Sequence, residues 1–425
     1  MSVRVGILTL HYGFNEGAVL QAYALATLLR ESWPDADVEV VDFRYPAKIN
    51  VYGPAESPRE IAIQAAIDQW LPLSTRVGMP KDDAGLGPWL SDHYDVVIYG
   101  SDVLWNLRYR RRFRRFVPGG AFSVQDDPFF PPFPNAYWPD ESIRSVQIAF
   151  AASVGTLQSS DIPSRQKRSM SRRLQSCAAI SVRDSWTHGF VHSIDERLGQ
   201  ETVRIADPTF SAAFRRDSRL HDASAPEIES RLESLGVDFT KPIAGFVCKS
   251  TIATRELAAA LRNDGFQIVG ITTRNDLADV NLFDHGFHPL EWARVFGFLD
   301  VCITERMHAC IFCLLQQTPV VVLDINASDA VRETKHTDLM GQFELGDFCF
   351  PARRTESAGL QLAVEAIREQ QWDWDGIGLS INELSDAQTA FLRRARAKSG
   401  IGGGESAVTQ DEDPSVTSQH SAVVS

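Results

Sequence analysis

The chain has 425 residues, of which 44% are hydrophobic and 23% are charged, a composition typical of a soluble globular protein with about two domains. Its formal net charge of −13 argues against nucleic-acid binding, which needs a clustered basic surface. No apolar run approaches the roughly 18 residues of a membrane span, and the N-terminus lacks a cleavable signal, so we expect a cytoplasmic protein. Peripheral membrane association stays open, and an anionic substrate would require a local basic pocket.

The first part of the chain alternates predicted strands and helices. An apolar run over 3–10 predicts a buried strand, a polar loop follows at 11–16, and apolar residues at helical spacing predict a helix over 17–30. Between 44 and 93 the pattern is weak, and the clearest helix is at 59–70. This order indicates a doubly wound parallel sheet. Its further strands are predicted at 38–43, 94–102, 145–153, 178–184 and 203–208.

An arginine run and a Pro/Phe-rich stretch interrupt the pattern at 108–140. We expect either a lid or acceptor-facing insertion, or a solvated helix face followed by an irregular loop. The charged segment 214–240 lacks strand character and marks a domain boundary. The sequence therefore predicts an N-terminal Rossmann-like domain over 1–215, on the acceptor side of the molecule.

A second α/β series follows, with strands predicted at 243–248, 267–273, 301–304 and 319–324. We predict a C-terminal Rossmann-like domain over 216–398, on the donor side. It is closed by a helix at 380–398 that is positioned to pack across both domains. Residues 399–425 have low hydrophobicity and are predicted to form a disordered tail. Two successive Rossmann-like domains with an interdomain cleft describe an α/β architecture of the GT-B type.

The six cysteines are scattered and lie mostly within apolar runs, as expected for reduced core residues. Cys310 and Cys313 form a C-x-x-C pair inside a predicted helix. Core packing is favoured over a redox or metal role there, because the redox motif sits at a helix start. No second cysteine pair or His-rich cluster completes a zinc site, so we expect neither a metal nor a cofactor.

The most informative segment is 300–324, where a buried strand runs directly into Arg306 and His308 and a helix begins. A helix N-terminus offers unpaired N–H groups and a positive dipole end, which bind phosphates and carboxylates. Arg306 adds a planar fork for anions, and His308 adds a group that titrates near neutrality. Ligands bind at this end of the strands in open α/β sheets. The alternative is an Arg306–Glu305 surface pair with a histidine that caps the helix.

Two further basic residues follow predicted strands. Lys335 lies shortly after the strand at 319–324, where it can fold back toward the same anion site as a mobile charge or remain a solvated surface lysine. Arg183 ends a strand of the first domain. It faces the cleft if the domains oppose each other, and otherwise forms a salt bridge with Asp184.

Two loops of the first domain suit a polar, sugar-like ligand. In HYGFNEG (11–17), Gly17 allows close backbone approach and Asn15 offers directional hydrogen bonds at a helix start. In GSDVLWN (100–106), Asp102 can accept from hydroxyls, and Trp105 offers an apolar face for stacking a pyranose. A buried structural tryptophan is an equal alternative for Trp105. Neither loop matches a Walker or G-x-G-x-x-G phosphate motif.

These segments together resemble the polysaccharide pyruvyltransferase family. The resemblance spans most of residues 3–350, and its first two segments and the R-x-H segment are the specific ones. The matching segments, in order, are GILTLHYGFNEGAVLQAYAL (6–25), DVVIYGSDVLWN (95–106), IAFAASVG (148–155), ISVRD (180–184), ADPTF (206–210), TERMHACIF (304–312) and KHTDLMGQFELGDF (335–348).

The resemblance implies a GT-B-like fold and transfer of the pyruvyl group of phosphoenolpyruvate, as donor substrate, to a sugar of a glycan as a cyclic ketal. Arg306 and His308 match the family's R-x-H pair and are the implied catalytic residues. Arg183 matches the family's S-x-R segment, and Lys335 matches its downstream lysine. A nucleotide-sugar glycosyltransferase and a non-catalytic carbohydrate-binding relative remain alternatives.

Three residues depart from the family pattern. Glu16 stands where an aromatic residue is common, Met307 stands where leucine or phenylalanine is usual, and Val103 replaces a common glutamine. The loop changes bear on the acceptor more than on the donor. The acceptor sugar, the ketal position and stereochemistry, the assignment of acid and base, and the oligomeric state are not specified by the sequence.

Overall fold

The computed structural model describes residues 2–45, 54–80, 83–107, 109–110, 123–124, 132–221, 224–327, 334–353, 356–369 and 372–401. Within them the chain forms two six-stranded parallel sheets flanked by helices, one sheet in each half. The central strands are buried along almost their whole length because helices cover both faces of each sheet, which explains their continuous apolar sequences. The predicted α/β class with two Rossmann-like domains is confirmed.

The N-terminal sheet has the strand order β2-β1-β3-β6-β7-β8, and every pair is parallel. A separate antiparallel pair joins β4 to β5. The strands are β1 (Val3–Leu8), β2 (Ala36–Val40), β3 (Val96–Asp102), β4 (Tyr109–Arg110), β5 (Ser123–Val124), β6 (Val146–Ala152), β7 (Cys177–Val182) and β8 (Val203–Arg204). The helices are α1 (Glu16–Ser32), α2 (Pro58–Trp70), α3 (Asp83–His93), α4 (Ser164–Gln175), α5 (Ser185–Ile194), α6 (Glu196–Glu201) and α7 (Ala212–Arg215).

The C-terminal sheet has the order β11-β10-β9-β12-β13-β14, again fully parallel. The direction of winding reverses between β9 and β12, so the carboxyl end of β12 opens at the crevice where ligands bind in such sheets. The strands are β9 (Ile243–Val247), β10 (Gln267–Gly270), β11 (Val280–Asn281), β12 (Val301–Thr304), β13 (Val320–Asp324) and β14 (Cys349–Pro351). The helices are α8 (Ala225–Ser234), α9 (Ile252–Asn263), α10 (Pro289–Val295), α11 (Met307–Leu315), α12 (Lys335–Gly341), α13 (Ser357–Glu369) and α14 (Trp374–Ser399).

Helix α3 is an element that the sequence did not reveal. Its eleven residues include Pro88 and two glycines, which weaken intrinsic helix propensity. Leu86 and Leu90 nevertheless lie on one face and are buried in the core of the N-terminal domain. Tertiary packing of an apolar face therefore stabilises a helix that propensity alone disfavours.

The long helix α14 contacts both domains. Near its start, Ile377 and Ile381 belong to the apolar core that includes the C-terminal sheet. Near its end, Phe391 and Leu392 are buried in the core of the N-terminal sheet. The indole Nε1 of Trp33 also donates to the carbonyl oxygen of Leu392 at 3.3 Å. Thus the last helix of the chain returns from the second sheet to the first.

Helix α1 also contacts both domains, in the same order along the helix. Its residues Leu25 and Leu29 pack beneath the N-terminal sheet, whereas Leu20 and Tyr23 belong to the core that includes the C-terminal sheet. The Tyr23 hydroxyl donates to Asp217 at 2.5 Å, in the segment that connects the domains. The two domains are therefore joined by two helices as well as by the linker.

Some sequence predictions fall largely outside the described residues. Most of 108–140 and nearly all of the tail at 399–425 are of this kind. Cys310 and Cys313 are free and fully buried on α11, in agreement with core packing. Among the residues described, none of the helices combines the length and apolar character that crossing a bilayer requires.

We predict that Phe391→Ala lowers the free energy of unfolding by about 3–5 kcal/mol, because it removes a buried ring that packs edge-on against Phe150. Leu379→Ala, on the same helix at 67% exposure, is the control and should change stability by no more than about 0.5 kcal/mol. Urea denaturation measures both. Equal effects of the two substitutions would show that α14 does not stabilise the N-terminal domain.

Candidate active site

Strand β12 ends in a turn that is fixed by its own side chain. The Thr304 hydroxyl accepts from the Arg306 amide at 2.8 Å and donates to the Arg306 carbonyl oxygen at 3.2 Å. Arg306 is the N-cap residue of α11, and its side chain makes no capping hydrogen bond. It is exposed and forms no ion pair with Glu305 or any other described residue. The guanidinium and the start of α11 are thus open to an anion.

His308 lies in the first turn of α11 and points toward the N-terminal domain. Its Nε2 lies 3.5 Å from Oδ2 of Asp207, a long hydrogen-bond distance that crosses the interdomain cleft. On the other side the imidazole packs against the backbone of Gly17. A Cβ atom at Gly17 would lie only 2.3 Å from Cγ and Nδ1 of His308. The first turn of α1 and the first turn of α11 therefore meet at this ring.

Asp207 is the buried centre of the site. Its Oδ2 accepts from Arg183 Nη1 at 3.0 Å, and its Oδ1 accepts from the Thr209 amide at 3.1 Å and hydroxyl at 2.8 Å. Burial alone would raise the pKa of this carboxyl, but His308 and Arg183 outweigh it and hold the pKa well below its usual range. The Gln388 amide on α14 donates to the Asp207 carbonyl oxygen at 2.8 Å and fixes the backbone.

Arg183 follows β7 and is almost completely buried. Besides Asp207, it approaches Asp102, with 3.9 Å between Nη2 and Oδ1. The predicted alternative, a salt bridge with Asp184, is wrong: Asp184 instead caps α5, accepting from the Thr187 amide at 2.7 Å and the Ser153 hydroxyl at 2.6 Å. The Arg183 Nε is buried and has no hydrogen-bond partner in the described part of the chain.

Lys335 begins α12 and is partly buried. Burial lowers the pKa of its amine to about 8, and the Arg183 charge adds to this. The carboxylates of Asp102, Asp184 and Asp324 act in the opposite direction. Lys335 is therefore close enough to these groups to respond to their charges, and is not a solvated surface lysine.

The residues on either side of Lys335 are anchored to the end of β13. The Thr334 hydroxyl donates to Asp324, and His336 Nδ1 lies 3.3 Å from the other oxygen of that carboxylate. Thr334 also caps α12, accepting from the Thr337 amide at 3.2 Å. Asp324 thus fixes the backbone at the position from which the lysine side chain extends.

A second contact across the cleft holds α12 against α5. The amide and hydroxyl of Ser185 both donate to the carboxylate of Asp338, the hydroxyl at 2.6 Å. Arg204, at the end of β8, lies 3.9 Å from the same carboxylate. The contact between Ser185 and Asp338 keeps Lys335 near Arg183. Arg183 lies two residues before Ser185, and Lys335 lies three residues before Asp338.

The loop before α1 has a mainly structural part in the site. Asn15 is exposed and caps α1, with its side-chain oxygen 3.4 Å from the Ala18 amide. Glu16 is buried and makes a bidentate ion pair with Arg59, at 2.6 and 2.7 Å. The unusual glutamate is therefore explained by a partner from α2 and does not project freely into the cleft.

The prediction that Trp105 offers a face for stacking a sugar is wrong. Its side chain is completely buried, its indole Nε1 donates to the Tyr137 carbonyl oxygen at 3.1 Å, and its ring stacks on Trp138 at 5.2 Å. No face of the ring is available to a sugar, so the alternative of a structural tryptophan holds. Asp102, three residues earlier, is by contrast partly exposed at the edge of the site.

Sequence reasoning missed Asp207 and Asp338 as members of the site. Asp207 stands in the ADPTF segment near the end of the strand predicted at 203–208, and an acid in that mainly apolar run was a usable signal. Asp338 lies one helical turn after Lys335, and nothing in its local sequence indicates a partner 153 residues away. Within the described ranges, no group of three or more His, Cys, Asp or Glu residues could hold a metal ion.

Comparison with protein families identifies the chain. The family model described as polysaccharide pyruvyl transferase matches residues 15–326, which include Gly17, Arg183, Asp207 and the Arg306–His308 pair. The chain belongs to the polysaccharide pyruvyl transferase family. It is therefore a member of a transferase family, as the sequence motifs indicated. A comparison with curated protein sequences finds no match.

Solved structures similar to the chain support the fold of this pyruvyl transferase family member. A Listeria monocytogenes protein described as a UDP-N-acetylglucosamine 2-epimerase has 9% identity and a TM-score of 0.54, covering 95% of this chain and 98% of its own. A glycosyltransferase from Rickettsia africae has 9% identity and a TM-score of 0.53, covering 95% and 100%. At such low identity the likeness shows the GT-B fold alone.

Gly17→Ala should disable the site without unfolding the protein. The added methyl group must displace His308, and a shift of about 1 Å at a catalytic group can lower turnover about 100-fold. Alanine is a better helix former than glycine by about 1 kcal/mol, so α1 itself should not suffer. Phosphate release from phosphoenolpyruvate, the donor implied by the family, measures turnover.

Gly378→Ala is the matched control, because a Cβ atom at this helical glycine meets nothing within 4 Å. It should leave turnover unchanged. If Gly17→Ala were as active as this control, the close packing of α1 on His308 would have no catalytic importance.

Proposed function

We propose that this protein transfers the pyruvyl group of phosphoenolpyruvate to two hydroxyls of a sugar in a glycan or glycan precursor, forming a pyruvate ketal and releasing phosphate. Its membership of the polysaccharide pyruvyl transferase family agrees with this activity. The observation that carries the proposal is the contact across the cleft at Asp207, which lies 3.0 Å from Arg183 and 3.5 Å from His308, two residues after the exposed Arg306.

The basic residues fit the two anionic groups of the donor. Phosphoenolpyruvate carries a phosphate and a carboxylate on adjacent carbons. Arg306 and the N-terminus of α11 would bind one of them, because the guanidinium fork and the unpaired amides both suit an oxyanion. Lys335 would bind the other group as a point charge. Arg183 is held by Asp207 and adds positive electrostatic potential to the donor site.

His308 would carry the proton transfers. Asp207 faces Nε2 of the imidazole at 3.5 Å, and the ring would take a proton from a hydroxyl and pass it on. The same carboxylate orients the ring, and Gly17 leaves it space. The assignment of His308 as acid or base for each transfer follows from which hydroxyl lies nearer when both substrates are bound.

The reaction balances without an oxidant or reductant. A proton adds to the methylene carbon, which becomes a methyl group and leaves the neighbouring carbon electrophilic. One sugar hydroxyl forms a C–O bond to that carbon and loses its proton. The bond from this carbon to the phosphate oxygen then breaks, and the second hydroxyl adds in its place. Of the two hydroxyl protons, one ends on the methyl carbon and the other leaves with the phosphate.

The direct test is phosphate release from phosphoenolpyruvate in the presence of a panel of glycans, with His308→Ala and Arg306→Ala compared with the unchanged protein. We expect each substitution to lower turnover by at least about 100-fold, since each removes a group that acts on the reacting atoms. Retention of full turnover by His308→Ala would falsify its catalytic assignment.

Ligand-induced thermal stabilisation separates the proposal from its rivals, since a ligand that binds the native state raises its stability. Stabilisation by phosphoenolpyruvate supports the proposed donor. Selective stabilisation by nucleotide sugars would instead favour a glycosyltransferase. Binding of ligands without phosphate release across the whole glycan panel would indicate a carbohydrate-binding protein that lacks turnover.

The pH dependence of kcat/KM should report the ionisation of the Lys335 amine. Its amine is charged below a pKa of about 8, so kcat/KM for phosphoenolpyruvate should fall by about tenfold per pH unit above this value. Lys335→Arg should remove this alkaline limb, because a guanidinium stays charged. Steady-state kinetics between pH 7 and pH 10 measure both profiles. An unchanged alkaline limb in Lys335→Arg would show that another group causes it.

A further inference from the structure

A cavity lies between the loop that follows β6 and the first turns of α5. Its volume is about 360 Å³, at the lower end of the range of small-ligand pockets. Leu157 and Gln158 form one wall, and Trp186 and Phe190 form the other. No family motif or role in the donor chemistry described above accounts for this space.

The lining of the cavity is uncharged. It combines the apolar surfaces of Leu157, Trp186 and Phe190 with four serines and the Gln158 amide. Another cavity of about 300 Å³ in this domain is lined by Asp83, Asp140 and Arg173, so an uncharged wall is not a general property of the surface. Hydroxyl and amide groups next to an aromatic ring suit a neutral ligand that has both an apolar face and many hydroxyls.

Trp186 is the aromatic element of this cavity and is held in place. Its indole Nε1 donates to the Leu157 carbonyl oxygen at 2.9 Å, which ties α5 to the opposite wall. The ring packs partly against the core of the N-terminal domain and remains partly exposed. Unlike the buried Trp105, it therefore has surface available to a ligand.

A single turn of chain connects the lining of the cavity to the proposed donor site. Ser185 lines the cavity and also bonds to Asp338 on α12, the helix that begins with Lys335. Arg183, two residues before Ser185, bonds to Asp207, which in turn faces His308. The lining of the cavity is therefore connected, through two residues of chain, to the groups assigned to the chemistry, which favours an acceptor as its ligand.

We propose that this cavity, lined by Trp186, binds a neutral pyranose ring of the acceptor glycan, next to the ring that receives the pyruvyl group. The assignment rests on the proposed function for its place in the reaction. The binding of a neutral sugar can be measured without turnover, so the two ideas can fail separately. An anionic ligand is disfavoured because none of the described residues that line the cavity is cationic.

Ligand-observed NMR with the full chain tests binding directly, using lactose, maltose, cellobiose and N,N′-diacetylchitobiose as probes. We expect saturation transfer to at least one disaccharide. Trp186→Ala should weaken its binding about tenfold, and Trp186→Phe, which keeps an aromatic face, should weaken it less. Absence of binding by all four probes, or equal binding by Trp186→Ala, overturns the proposal. So does binding of glucuronate in preference to every neutral probe.

Gly189 provides a second variant that does not remove the tryptophan. It lines the cavity on α5, and a Cβ atom there meets nothing within 4 Å. Gly189→Phe should fill the cavity and block the disaccharide without destabilising the fold. Gly378→Phe, at an equally open helical glycine of α14, is the control and should bind the disaccharide normally. Binding by Gly189→Phe at the level of this control counts against the cavity.

Kinetics then connect the cavity to the reaction. With a glycan acceptor, Trp186→Ala and Gly189→Phe should raise the KM for the acceptor about tenfold and leave the KM for phosphoenolpyruvate unchanged. An unchanged acceptor KM in both variants refutes the subsite while leaving the pyruvyl transfer intact. Failure of the unchanged protein to release phosphate refutes the proposed function instead, and the NMR result then stands alone as evidence for a sugar site.

Discussion

The site depends on one buried carboxylate. Asp207 is enclosed by protein, and an isolated charge at such a position would be strongly destabilising. It is tolerated because Arg183 lies 3.0 Å from it and His308 faces the same oxygen from the other domain. The carboxylate therefore brings a guanidinium of the first domain and an imidazole of the second within reach of one small volume.

The surrounding structure fixes this carboxylate through backbone as well as side-chain contacts. Gln388 on α14 donates to the carbonyl oxygens of Ala206 and Asp207, so the last helix of the chain holds the end of β8. Gly17 gives the imidazole room to approach, because any larger residue would occupy the position of its ring. Elements far apart in sequence thus determine the position of the Asp207 carboxylate and of the His308 ring that faces it.

Local sequence patterns were sufficient for the fold class and for part of the site. Strands such as β3 and β9 read as apolar runs because both of their faces are buried, and the turn after β12 identified Arg306 and His308. Contacts between segments that are distant along the chain could not be predicted from local sequence patterns. The pairing of Glu16 with Arg59, and of Ser185 with Asp338, depends on how separate helices meet in three dimensions. The burial of Trp105 was missed for the same reason, since a tryptophan after a strand is compatible with either the core or a ligand face.

The two crossing helices, α1 and α14, have a consequence for how ligands reach the cleft. Each inserts apolar residues into the cores of both halves, so a wide hinge opening would expose Leu20 and Tyr23 of α1 and Ile377 of α14 to water. The free-energy cost of that exposure favours a preorganised cleft over one that assembles only when a ligand arrives. Ligands then enter and leave through rearrangement of loops and side chains at the mouth of the cleft, such as the exposed Arg306. The two sheets keep their relative positions. Binding in such a cleft avoids much of the entropic loss that accompanies domain closure.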